Sequence, residues 1–220
     1  MPTPSIKGSI FRGVVEEIRQ LRDGGRLSEA QLEGGLAESD LELLDQKILD
    51  ASWYPTESYA RMLDLLCRHV GGGRPGYYAE RGAANARRLM DAGMYSQLDL
   101  LDRWRKDEEG VDPDRDAQRL VSAYQSKLKL VVSLAGSIYN TGRWRVEQDP
   151  EHPHRVIIEI ADAGAYTDGM RYAIEGFLNE CARTVRHGIG ALYVTDRPDP
   201  ATIRIRMTED LPELYRRASA

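Results

Sequence analysis

Five arginines stand where the spacing could build a recognition surface. Arg143 and Arg145 flank Trp144, Arg155 precedes the run Val156, Ile158 and Ile160, and Arg204 and Arg206 alternate with Ile203, Ile205 and Met207. Successive side chains of a strand point to opposite faces, so an apolar set turned to a core turns the arginines to the other side. Glu147 and Glu159 share that side, leaving five guanidinium groups against two carboxylates on a chain whose formal charge is −5. A planar guanidinium fits carboxylates bidentately, so one reading is a docking face for an acidic protein partner. The other is cross-strand pairing of arginine with glutamate on a solvated face.

Other groups with chemical potential read more plainly. His152 and His154 flank Pro153 in a turn-rich stretch with no third ligand in view, His187 sits at a helix C-terminus where the dipole favours a cation, and His69 is isolated. No metal site is expected. Cys67 and Cys181 lie far apart inside apolar helical patterns and read as buried free thiols. The run from Gly71 to Gly76 is the one glycine-rich loop; it follows a helix pattern and lacks the Gly-Lys-Ser/Thr ending of a phosphate cradle, so it reads as a connector. Acids 107–109 read as solvated surface. Serine elbows, zinc-binding His-Glu-x-x-His and dinucleotide fingerprints do not occur. Neither catalytic residues nor a cofactor are expected.

The elements that must position these residues follow from hydrophobic period, which changes at about residue 141. Before it, apolar residues recur every three or four positions. Ser9 is placed to cap a helix with Ile10, Phe11, Val14, Val15, Ile18 and Leu21 on one stripe, and Gly24-Gly25 ends it; a short turn of helix follows Ser28. Ser39 opens a helix with Asp40 and Glu42 in its first turn. Pro55 makes a corner, Thr56 is placed to cap the helix carrying Tyr59, Met62, Leu63, Leu66, Cys67 and Val70, and Gly71 breaks it. A helix from about Tyr77 to Met90 holds Gly82, Ala83 and Ala86, small enough for another helix to approach closely. One more is expected over 96–106 with Leu98, Leu101 and Trp104, and a long one after Asp112-Pro113-Asp114 with Leu120, Val121, Tyr124, Leu128, Val131, Val132, Ala135 and Ile138 inward. After Gly142 the period is two, and two hairpins surround a helix over about 166–186 with Met170, Ile174, Phe177, Leu178, Cys181 and Val185 on its stripe. In the second hairpin Leu192 and Val194 are read inward and Tyr193 outward. The last residues either dangle or form a short helix.

The 220 residues are 41% hydrophobic and 30% charged, with no apolar run long enough to span a membrane, and Met1-Pro2-Thr3-Pro4 lacks a signal-peptide layout. A cytoplasmic location is therefore expected, with no basic field to attract nucleic acid.

Several short segments carry a resemblance. Lys7-Gly8-Ser9-Ile10-Phe11, the Trp53-Tyr54-Pro55 corner, Glu80-Arg81-Gly82-Ala83-Ala84 and Glu175-Gly176-Phe177-Leu178 resemble an uncharacterised paralogous family of myxobacterial proteins. The helical front with a final strand-strand-helix-strand-strand unit is also similar to the group containing vinyl-4-reductase domains, Bet-type TRAPP subunits and H-NOX sensors. That resemblance implies helices packed on a small antiparallel sheet, used for binding apolar ligands, for sensing, or for assembly. The cysteines that vinyl-4-reductase domains carry near the chain end are absent after Cys181. The H-NOX haem motif Tyr-x-Ser-x-Arg is met by Tyr124 and Ser126 but then by Leu128, with Lys127 one step early, and the preceding histidine, His69, is far upstream. Haem is not expected.

The reading is a single α+β domain over 1–220, with a helical part over 1–141, a ββαββ part over 142–207 and a tail over 208–220. Its expected function is a non-enzymatic sensor or adaptor acting through protein contacts made by Arg143, Arg145, Arg155, Arg204 and Arg206, as a homodimer. One alternative is a small-molecule sensor holding an apolar ligand between helices and sheet, lined by Leu66, Tyr124, Phe177 and Cys181. Another is a hydrolase or reductase whose site is assembled from distant residues.

Overall fold

The computed structural model describes residues 3–91, 93, 112, 115–185 and 192–219. The helix expected over 96–106, acids 107–109, His187, Pro113-Asp114 and the side chain of Val185 lie outside the described residues. The described elements are β1 (Ser5–Lys7), α1 (Gly8–Asp23), α2 (Glu29–Glu33), α3 (Glu38–Asp45), β2 (Trp53–Pro55), α4 (Thr56–His69), α5 (Gly76–Asp91), α6 (Ala117–Ile138), β3 (Arg143–Gln148), β4 (Val156–Ala161), α7 (Asp168–Val185), β5 (Tyr193–Asp199), β6 (Thr202–Met207) and α8 (Leu211–Ser219). The fold is α+β. Its main sheet is antiparallel in the order β3-β4-β6-β5, and β1 pairs with β2 in a separate two-stranded ribbon that the sequence reading missed.

The helical stripes are buried as their spacing requires. Ile10, Phe11, Val14, Val15, Ile18 and Leu21 of α1 pack against Tyr59, Met62, Leu63 and Leu66 of α4 in one core cluster that also takes in the inner face of the sheet. Each such side chain contributes about 1.5–3 kcal/mol of burial. Helix starts differ from expectation in an instructive way. Ser9 does not cap α1; the helix begins at Gly8, and its first N–H groups donate to the backbone carbonyls of Ser52 and Asp50. Tertiary contact has replaced the side-chain cap. Likewise Thr56 lies inside α4, with its N–H bonded to the Pro4 carbonyl and its hydroxyl buried without a partner among the described residues. Ser28 does cap α2, reciprocally with Gln31.

Asp40 is more than a first-turn acid. Its carboxylate is fully buried, accepts from Ala37 N–H at 2.9 Å, and takes Arg61 Nε and Nη2 at 2.5 and 2.9 Å. Burial works to raise its pKa, but the bonds from Arg61, Ser58 and Ala37 outweigh it and hold the carboxyl below the usual range.

Helices α5 and α7 cross at backbone contact. A Cβ built on Gly82 would stand 1.8 Å from the Ala173 carbonyl oxygen, and one on Gly176 would stand 2.0 Å from that of Ala79. The small residues read from the sequence are thus matched by a reciprocal glycine on the other helix. On its opposite side α7 seals the edge of the sheet. Arg171, Glu175 and Asn179, spaced one turn apart, take the outward backbone groups of β5: Asn179 accepts from Leu192 and Tyr193 N–H and donates to the Tyr193 carbonyl, Glu175 accepts from Thr195 N–H, and Arg171 donates to the Thr195 carbonyl. A polar helix stripe does here what a fifth strand would do.

The sheet's inner face carries Val146, Ile158, Ile160, Ile203, Ile205 and Met207, as expected. One strand departs from its expected phase: Tyr193 is buried opposite Met207 and Val194 is 47% exposed, while Leu192, just before the strand, is buried as expected. The Tyr193 hydroxyl bonds to that of Tyr124, and this polar contact sets the strand's phase against simple hydropathy. The segment after Met207 is an ordered helix with Leu211 and Leu214 fully buried.

Candidate functional site

The arginines read from period two do share the outer face of the sheet, because the register sets Arg145 against Glu159, Glu159 against Arg204 and Asp196 against Arg204. Each has an intramolecular acid nearby, save one. Arg143 meets Asp162 at 2.7 Å, Arg155 meets Asp210 at 2.6 Å, and Arg204 meets Glu159 at 3.2 Å. Arg206 is ringed by Asp196 at 3.1 Å, Glu151 at 3.5 Å and the buried Asp149 at 3.6 Å. Of the five, Arg145 alone has no ion pair among the described residues, and it is exposed. Acids from the connecting loops have joined the face, and period two gives no sign of them. The arrangement favours cross-strand neutralisation over an open cationic surface.

A different region holds empty space. Between α5, α6, α7 and β3 lies a cavity of about 70 Å³, walled by Ile138, Tyr139, Trp144, Ile174, Phe177 and Leu178. Its polar lining is sparse: Tyr59, whose hydroxyl has no hydrogen bond among the described residues, and Asn85, whose amide oxygen accepts from Arg88. Burial pushes the Tyr59 hydroxyl's pKa up, so it stays a neutral donor. Gly82 faces this cavity, so the close helix crossing helps to shape it.

Of the four residues expected to line an apolar site, Phe177 lies on this cavity. Leu66 is fully buried between helices, Tyr124 is engaged with Tyr193, and Cys181 is packed on α7. All three stand apart from the lining: Tyr124 and Cys181 share stripes with Ala135 and Phe177 but sit one or more turns away along their helices, and Leu66 belongs to the α1–α4 core. Burial and the neighbouring Glu180 push the Cys181 thiol up to about 12. Tyr124 and Ser126, the partial haem motif, are occupied by Tyr193 and by the Ser122 carbonyl. His69 contacts Gln31, and His152 and His154 sit in the β3–β4 connection. No cluster of three metal-ligating side chains exists among the described residues. The glycine-rich run is a connector from α4 to α5, with Gly72 and Gly73 at positive φ.

Beside the cavity, α1 and α5 enclose an open groove of about 470 Å³ that the sequence reading did not single out. It holds Arg26, Arg81 and Arg88 with Glu16 and Glu17. Arg81 is paired with Glu17, which also accepts from the Tyr77 hydroxyl, and Arg12 takes Glu16 at 3.6 Å and Asp50 at 3.1 Å. That leaves Arg88 without an ion pair among the described residues: its Nη2 donates to the Ser9 carbonyl at 2.9 Å and to Asn85 Oδ1 at 3.3 Å. Burial, then repulsion from Arg12, lowers its pKa. The spacing of 81 and 88 was a findable signal, since residues seven apart share a helix face. The lack of an acid at Arg88 was not, because it depends on α1 spending its glutamates on Arg12 and Arg81.

No helix among the described residues is long and apolar enough to cross a membrane. No family model and no curated protein matches this sequence. Solved structures that it resembles include an H-NOX variant from T. tengcongensis, at 13% identity and a TM-score of 0.49 over 94% of this chain and 100% of that one. Another H-NOX, described for its activation mechanism, gives 13% identity and 0.48 over 94% and 98%, and a doubly substituted H-NOX gives 14% and 0.45 over 93% and 96%. The likeness is distant and assigns no residue of this chain a role.

Proposed function

We propose that this protein is a small-molecule sensor that holds an apolar ligand between its helices and sheet. The observation that carries the reading is the cavity under Trp144 and Phe177, an apolar space bounded by both halves of the fold, where close packing is the rule and unfilled volume costs stability. A ligand there touches α5, α6, α7 and β3 together, so binding would couple the helical front to the sheet. Such coupling is what a sensor needs: a ligand that prefers one arrangement of the two layers shifts the population toward it. The self-neutralised arginine face lends the adaptor reading no comparable support.

Trp144 supplies the test. Titration with small apolar probes should change its fluorescence and raise the melting temperature, both effects being lost in Ala135→Phe, which fills the cavity from α6. Native mass spectrometry of freshly purified protein should show a retained small molecule. Unchanged emission and melting across a panel of apolar probes, with no retained mass, would dispose of the reading.

A further inference from the structure

The groove and the cavity meet at one residue. Asn85 lines both: on one side it accepts from Arg88 in the polar groove, and on the other it borders the apolar space with Gly82 and Tyr59. Across the gap Gly13 of α1 presents no side chain, and a Cβ built there would touch Arg88 Nη2 at 3.5 Å and Asn85 Oδ1 at 3.7 Å. A half-buried guanidinium with no carboxylate within 4 Å among the described residues is costly, and near it the Asn85 amide and the Tyr59 hydroxyl offer polar contacts beside an apolar chamber. We propose that the ligand of the cavity is an amphiphile bearing a single carboxylate, whose head is held by Arg88 in the α1–α5 groove and whose apolar body passes Asn85 into the space under Trp144. The inference rests on the apolar-ligand reading above and adds the head-group site.

The charge count selects the head. The groove sets three arginines, Arg26, Arg81 and Arg88, against two glutamates, Glu16 and Glu17, so a monoanion balances its walls where a dianionic phosphate would leave an excess of negative charge. Arg26, exposed at the rim without a partner among the described residues, is placed to draw the anion in. The carboxylate would replace water around Arg88 without displacing an existing ion pair. Its bond to the Ser9 carbonyl fixes the guanidinium from behind, leaving the remaining N–H groups for the ligand.

Calorimetric titration with hexanoate, hexanol and acetate separates the parts. Hexanoate should bind the wild-type chain at least tenfold more tightly than either of the others. Arg88→Met should abolish the advantage of hexanoate over hexanol while leaving hexanol binding intact, which also shows that the variant is folded; Arg88→Lys, which keeps the charge but loses the fork, should retain part of it. Ala135→Phe should reduce hexanoate to the level of acetate. Equal affinity for hexanoate and hexanol, or hexanoate binding unchanged by Arg88→Met, overturns the head site while the cavity reading stands. Acetate binding as tightly as hexanoate overturns the amphiphile. Failure of both hexanol and hexanoate to bind overturns the cavity reading and this inference with it.

Discussion

Two regions of this protein are rich in arginine, and they have been treated in opposite ways. On the outer face of the sheet, Arg143, Arg155, Arg204 and Arg206 each lie within 4 Å of a carboxylate, and Arg206 has three. In the groove between α1 and α5, Arg88 is half-buried and has none among the described residues. Density of a residue type therefore misleads. Apart from Glu159 beside Arg204, the sheet's arginines neutralise acids that sequence patterning does not place beside them, whereas Arg88 has lost its natural partners to Arg12 and Arg81. Unbalanced charge, rather than charge, marks the place where a ligand would be felt.

The largest way to break the comparison is to remove the groove's frame. Gly176→Val should force α7 off the Ala79 carbonyl and carry α5 with it, at a cost of about 3 kcal/mol because backbone cannot step aside. Thermal denaturation should then show a melting point lower by roughly 6–12 °C, a shift expected for a chain of this size. Next comes a direct contrast of the two regions. Arg206→Glu places a fourth acid beside Asp196, Glu151 and the buried Asp149 and should cost about 2 kcal/mol or more, while Arg88→Met should lie within about 1 kcal/mol of wild type in urea unfolding. Equal losses would erase the distinction drawn here.

Asp40 and Arg61 give a reference for a charge that is fully satisfied. Because the folded-state pKa of Asp40 lies below its ordinary value, the pair's stabilisation is present above about pH 4 and is lost as pH falls through the folded value. Asp40→Asn should flatten that part of the acid unfolding curve and cost about 1–3 kcal/mol at neutral pH. A smaller effect concerns Cys181. Its pKa, raised to about 12, favours the neutral thiol, so its contribution to stability is intact below the ordinary thiol value and declines as pH climbs from about 9 toward 12. In a Cys67→Ser background, alkylation at pH 8 should be at least about tenfold slower in native than in denatured protein. The smallest effect is expected at Arg145, where Arg145→Ala should change stability by under about 0.5 kcal/mol, since it is exposed and has no ion pair among the described residues.

Sequence alone determined the helical stripes, the two hairpins, and the outward phase of Arg143, Arg145, Arg204 and Arg206, because period and turn residues are local properties of the chain. It also marked Gly82 and its small neighbours as a place of close approach. Tertiary structure decided the rest. It capped α1 with the carbonyls of a distant loop, set the phase of β5 by joining Tyr193 to Tyr124, and turned the tail into a helix buried at Leu211 and Leu214. Above all it decided which arginines are balanced. Pairing depends on acids from Asp149 to Asp210 that approach through loops, and on α1 spending its glutamates on Arg12 and Arg81, so Arg88 beside Asn85 becomes visible as an unsatisfied cation only when both helices are packed. Local pattern fixes which way a side chain points; the balance of its charge is a sum over neighbours that folding alone assembles.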